Sequence, residues 1–107
     1  MVAFVVGIGN YKANRKLKNP VSDADAMQHL LEAQNVEVFN ARDCNVNEFR
    51  EQFDIFLTSL RPGDAAFLFF AGHGITFRNS VRLMTMSNSA KPDLEKDAVN
   101  LDVLLAM

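Results

Sequence analysis

The chain has no tryptophan, a single cysteine, three prolines and five glycines in 107 residues. One cysteine, Cys44, excludes an intramolecular disulfide and a multi-cysteine zinc site. It fits a reducing compartment, so a cytoplasmic location is expected. No apolar run is long enough to span a bilayer, and no signal peptide precedes the first apolar segment. Met1-Val2-Ala3 runs straight into that segment, so a stretch missing on the N-terminal side is expected. An excess of positive charge is also lacking. Eleven Lys and Arg stand against thirteen Asp and Glu, for a net charge of −2. A nucleic-acid binder carries a basic stripe, so neither nucleic acid nor membrane is an expected partner. There is no internal repeat and no low-complexity tract. What remains is globular: 49% hydrophobic and 22% charged residues suffice for one domain and one core. Nine Phe supply nearly all the aromatic surface.

The stretch Ala65–Gly74, AAFLFFAGHG, organises the rest. An unbroken apolar run follows the turn signal Arg61-Pro62-Gly63-Asp64 and ends in a glycine-flanked histidine. Such a run suits a strand buried on both faces of a parallel sheet. It would deliver His73 to the carboxyl end of that sheet, where open α/β folds place ligands. The glycines would let backbone approach anything bound beside the imidazole.

Taken in order, Val2–Ile8 predicts a first buried strand. The basic loop Lys12–Asn19 follows, either solvated or lining a pocket for an acidic substrate. A helix is predicted from Ser22, read as its N-cap, with Ala24, Met27, Leu30 and Leu31 on the buried face. Val36–Phe39 predicts a second strand. Asn45 and Glu48 have capping-box spacing at the head of a second helix. Its stripe of Phe49, Phe53, Phe56, Leu57 and Leu60 predicts core packing. After His73, Val81–Met86 predicts a strand or half of a hairpin turning at Arg78-Asn79-Ser80. Ser87–Asp97 predicts an exposed loop. Asn100 predicts the cap of a third helix, with Leu101, Leu104 and Leu105 on one face.

Strand, helix, strand, helix, strand implies parallel strands joined by right-handed crossovers. In the order two, one, three, the apolar third strand lies at an edge, which is an association hazard. A further neighbour is therefore expected from residues after Met107, and self-association through the open edge is expected without it.

Phe4–Tyr11 (FVVGIGNY), Leu17–Ala24 (LKNPVSDA), Pro62–Asp64 and Phe69–Gly74 (FFAGHG) resemble, in order and spacing, the caspase-like cysteine peptidases, closest to paracaspases and metacaspases. The resemblance runs from Val2 to about Met86 and more loosely to Met107. It implies an α/β, three-layer fold with a mainly parallel sheet flanked by helices, incomplete on its C-terminal side. Residues 1–107 would be the large-subunit part of one such domain. The resemblance also implies hydrolysis of peptide bonds by a Cys/His pair. His73 matches the catalytic histidine that serves a thiolate. Gly74 matches the residue whose N–H helps bind the oxyanion. Asp23 matches an acid of the specificity pocket that pairs with a substrate Arg or Lys. It equally suits plain stabilisation of a first helical turn.

The departure from the pattern is the nucleophile. In the family it follows the histidine by roughly 50 residues, near a position around 123. Only 34 residues follow His73 here (107 − 73), and none is Cys. Cys44 precedes His73 and reads as a small packing residue or an inert surface thiol. Two functions stay open: one part of a peptidase completed by a segment or chain that carries the cysteine, or an inactive caspase-like binding module. A third, a doubly wound domain using Gly7-Ile8-Gly9 for phosphate, lacks the required spacing. No cofactor or metal is expected. Some metacaspases use calcium, but Asp93, Glu95 and Asp97 form no ligand pattern.

Overall fold

A computed structural model describes residues 1–11, 19–86 and 96–106. Its elements in chain order are β1 (Val2–Gly7), α1 (Pro20–Glu32), β2 (Glu37–Arg42), α2 (Val46–Ser59), β3 (Ala66–Ala71), β4 (Gly74–Phe77), β5 (Ser80–Met84), β6 (Ala98–Asn100) and α3 (Leu101–Leu105). The first three strands form a parallel sheet in the order β2-β1-β3. The last three form a separate antiparallel sheet, β4-β5-β6.

β1 is buried along its whole length. Its side chains alternate between two cores, as strand geometry requires. Val2, Phe4 and Val6 join Phe49, Phe53 and Phe56 of α2. Ala3 and Val5 join Ala24 and Leu31 of α1. The result is three layers, with the parallel sheet between two helices. Phe4 sits in a nest of rings, 5.6 Å from Phe49, 5.7 Å from Phe53 and 5.5 Å from Phe56. The second sheet joins the α2-side core through Leu83, Met84, Ala98 and Val99.

β3 is less covered than its composition predicts. Ala66 is exposed and the other five residues are half-buried. The cause is position: β3 pairs with β1 on one edge only. β2, the other outer strand, carries Glu37, Asn40 and Arg42, polar residues that blunt an edge. β3 carries none.

Five local expectations need correction. α1 begins at Pro20, with Asn19 in the N-cap position and no side-chain cap bond. Ser22 lies inside the first turn and donates its hydroxyl to the Asn19 carbonyl. Proline at the first position supplies a preset φ, which outranks the serine signal. Leu30 is 55% exposed, because it lies about 100° round the helix from Leu31. Leu105 is 68% exposed, for the same reason relative to Leu104. β2 runs further than expected, through Arg42, and β6 precedes the third helix as an unforeseen strand. The hairpin is present as β4–β5. Arg78 and Asn79 form its two-residue turn with φ of 51° and 62°, a hand that matches strand twist. The basic loop and most of the expected polar loop, including Asp93 and Glu95, lie outside the described residues.

At α2 the Asn45 Oδ1 accepts the Glu48 N–H at 2.8 Å, while Glu48 Oε1 accepts the Asn45 N–H at 3.1 Å. Asn45→Ala should cost about 1 kcal/mol in urea unfolding. Asn47→Ala, on the exposed first turn, should cost only a few tenths.

Candidate active site

Parallel pairing brings the carboxyl ends of β1, β2 and β3 to one edge of the sheet. There Gly7 pairs with Arg42 and with Ala71. α1 rests on the same edge. A Cβ added at Gly7 would lie 2.6 Å from the Pro20 carbonyl oxygen and 2.8 Å from the Ala24 Cβ. Arg42 ties helix to strands. Its Nη1 donates to the Val5 carbonyl at 2.8 Å, its Nη2 to Gln28 at 3.0 Å, and its Nε pairs with Asp25 at 3.0 Å.

β3 extends past this edge through Gly72 to His73, a half-buried residue. Tyr11 clamps that segment. Its hydroxyl accepts the His73 N–H at 2.9 Å and donates to the Met84 carbonyl at 3.0 Å. The Met84 N–H in turn donates to the His73 carbonyl at 2.9 Å. The two rings lie 4.6 Å apart at 57°. Three bonds therefore join the end of β1, the end of β3 and β5 around one buried hydroxyl. Gly72 makes room for it: a Cβ there would sit 2.6 Å from the Tyr11 hydroxyl.

Burial pushes the Tyr11 phenol up to about 12, with nearby Asp43 and Cys44 adding to the rise and the His73 backbone bond opposing it. The hydroxyl is therefore a protonated bridge throughout the physiological range. The loop that carries Tyr11 is shaped by Asp43. One Asp43 carboxylate oxygen accepts the Gly9 and Asn10 N–H groups at 2.8 and 3.1 Å. The Asp43 N–H donates to the Gly7 carbonyl, and its φ is 42°. Tyr11 and Asp43 were not singled out in the sequence. The signal was there for Tyr11, the lone tyrosine, which ends the FVVGIGNY stretch.

The other expected residues fall as follows. Gly74 opens β4 directly after His73 and is exposed. The nearest atom to a Cβ added there would be 3.9 Å away, so neither crowding nor a positive φ demands glycine. Asp23 lies in the first turn of α1, exposed, on the helix that starts over the carboxyl edge. His73 and Gly74 are thus joined on one turn, and Asp23 stands on a neighbouring element of the same edge. Cys44 is buried at 4% exposure. Burial, and then the charge of Glu48, pushes its thiol up to about 11. A thiol held protonated is a poor nucleophile. No group of three His, Cys, Asp or Glu suited to a metal ion occurs among the described residues.

A profile of the caspase domain, peptidase family C14, matches residues 1–106. The chain belongs to the caspase-domain family. It is also 36% identical over 80 residues to the human mucosa-associated lymphoid tissue lymphoma translocation protein 1. That match covers 74% of this chain but only 10% of the human protein. Within the caspase domain the Tyr11 clamp gives a firm mount to the segment that bears His73. No helix among the described residues is long and apolar enough to cross a membrane.

The clamp has a pH signature. Folded Tyr11 and Cys44 keep protons to about 12 and about 11, against ordinary values of 10.0 and 9.0. Above the ordinary values the unfolded chain binds fewer protons than the folded one, so stability falls as pH rises. The contribution of these two groups to stability should be level below about pH 9 and decline towards pH 12. With one tyrosine in the chain, tyrosinate absorbance reads the site directly. It should rise near pH 10 in denaturant and near pH 12 without it.

Proposed function

We propose that this chain is the large-subunit portion of a caspase-like cysteine endopeptidase that cleaves after Arg or Lys, with its nucleophilic cysteine outside the chain. The observation that carries the proposal is the glycine-flanked His73, mounted at the carboxyl edge of the sheet in a caspase-domain chain. In the completed site a thiolate attacks the scissile carbonyl carbon and forms a tetrahedral intermediate. The Gly74 N–H donates to its oxyanion. His73 gives its proton to the leaving amine and then takes one from the water that releases the acyl group. Asp23, exposed at the start of α1, supplies a carboxylate for a substrate guanidinium or ammonium. No metal or cofactor enters this scheme.

The segment that carries the cysteine would add a strand beside β3. That edge is apolar and unpaired among the described residues. Without the segment, the same edge is where copies of the chain would self-associate. Peptide or protein is the substrate in this proposal, and the cytoplasm, where Cys44 stays reduced, is its setting.

A second function is favoured by one observation. Cys44 is a buried, protonated thiol and so a poor nucleophile. A chain whose longer polypeptide also lacks the nucleophile would be a caspase-like binding module.

Mixed with a segment that supplies the cysteine, the chain should hydrolyse fluorogenic peptides ending in Arg or Lys. His73→Ala should slow this by roughly 10²–10⁴-fold, and undiminished cleavage would remove His73 from the mechanism. Asp23→Ala should cost about tenfold or more against basic peptides alone. An equal loss against neutral peptides would remove it from the specificity pocket.

A further inference from the structure

A concavity lies on the α2 side of the molecule, and neither Tyr11 nor His73 lines it. It is a cleft of about 500 Å³ between α2 on one side and β5, β6 and α3 on the other, within the size range of small-molecule sites. Its floor is apolar, built by Phe49 and Phe53 of α2 with Val99 and Leu104 opposite. Three charged side chains line it: Arg50, Arg82 and Asp54. Two cations against one carboxylate leave its wall net positive on a chain whose net charge is −2.

Arg82 is the unusual member. Its Nε is buried and has no hydrogen-bond partner. One face of its guanidinium is covered by the Phe77 ring, 5.7 Å from the guanidinium carbon. Stacking covers a face and leaves the Nε–H without an acceptor. A buried N–H of a charged group without a partner is rare in folded proteins and costs stability, so it marks a missing acceptor. Asp54 lines the same cleft, yet the ion pair formed among the described residues is Arg42–Asp25 and not Arg82–Asp54.

We propose that this cleft binds a carboxylate carried on an apolar body, with Arg82 as the partner of the anion. A guanidinium edge matches a carboxylate through two parallel N–H bonds. The Phe-lined floor takes the apolar body. A phosphate dianion is the poorer occupant, since Asp54 stands on the wall and a bare phosphate leaves the floor unfilled. This binding does not depend on His73 being catalytic.

The test is a titration of the isotope-labelled chain followed by amide NMR, with three probes: 4-phenylbutyrate, its uncharged analogue 4-phenylbutan-1-ol, and inorganic phosphate. Phenylbutyrate should shift the amides of Arg82, Val99 and Phe53, and bind about tenfold or more tightly than the alcohol. Phosphate should shift none of them. Arg82→Gln should abolish the preference for the acid over the alcohol, and Arg82→Lys should keep part of it. Equal binding of acid and alcohol to the unaltered chain overturns the proposal, whatever the variants do. So does an unchanged preference in Arg82→Gln, a stronger response to phosphate, or shifts confined to other residues.

Discussion

A strand with no exposed face must be covered on both sides, and β1 is that strand. Val2 to Val6 alternate between a phenylalanine core under α2 and a smaller aliphatic core under α1. The three-layer arrangement follows from this. Parallel pairing of β2 and β3 with β1 follows from the helical crossovers that provide the cover. Once all three strands run the same way, their carboxyl ends meet at one edge, and the loops leaving that edge carry the polar chemistry. Burial of β1 therefore determines where His73 can be.

Position alone does not hold a side chain still. The Tyr11 hydroxyl supplies what the sheet cannot, because it bonds His73 and Met84 together beyond the last ladder bond of β3. Tyr11 is itself carried by a loop that Asp43 pins through two backbone N–H groups. The order of dependence runs from β1 burial to the loop after β1, then to the tyrosine, then to the histidine. Each step lies further from the sequence signal that began it.

That gradient explains what could be read from the sequence. β1, the α2 stripe, the Asn45–Glu48 capping box and the Asn100 cap are local patterns with short-range causes, and each has its expected place. The glycine-flanked histidine was legible because an unbroken apolar run ends there. Errors arose where two local signals competed, as with Pro20 and Ser22, where a residue fell on the wrong side of its helix, and where a non-local neighbour decided the outcome. Leu30 and Leu105 look like core by composition, but each lies about 100° round its helix from the neighbouring leucine that faces the core. β6 is three residues long, and its identity comes from pairing with β5. The roles of Tyr11 and Asp43 depend on contacts across 62 and 34 residues of chain, which no window of sequence displays.

The cysteine half of the proposed site is the part that a caspase-domain chain of this length does not itself supply after His73. The account requires that His73 act on a thiol brought beside it, and the ionisation of that thiol reports the encounter without reference to turnover. The measurement is the pH dependence of alkylation of the added cysteine in the completed protein, with and without His73→Ala. With His73 in place, the thiol should react as a thiolate down to below about pH 7, and the alanine variant should move the profile towards the ordinary value near 8.5. Identical profiles for the two proteins would contradict the pairing of His73 with a cysteine.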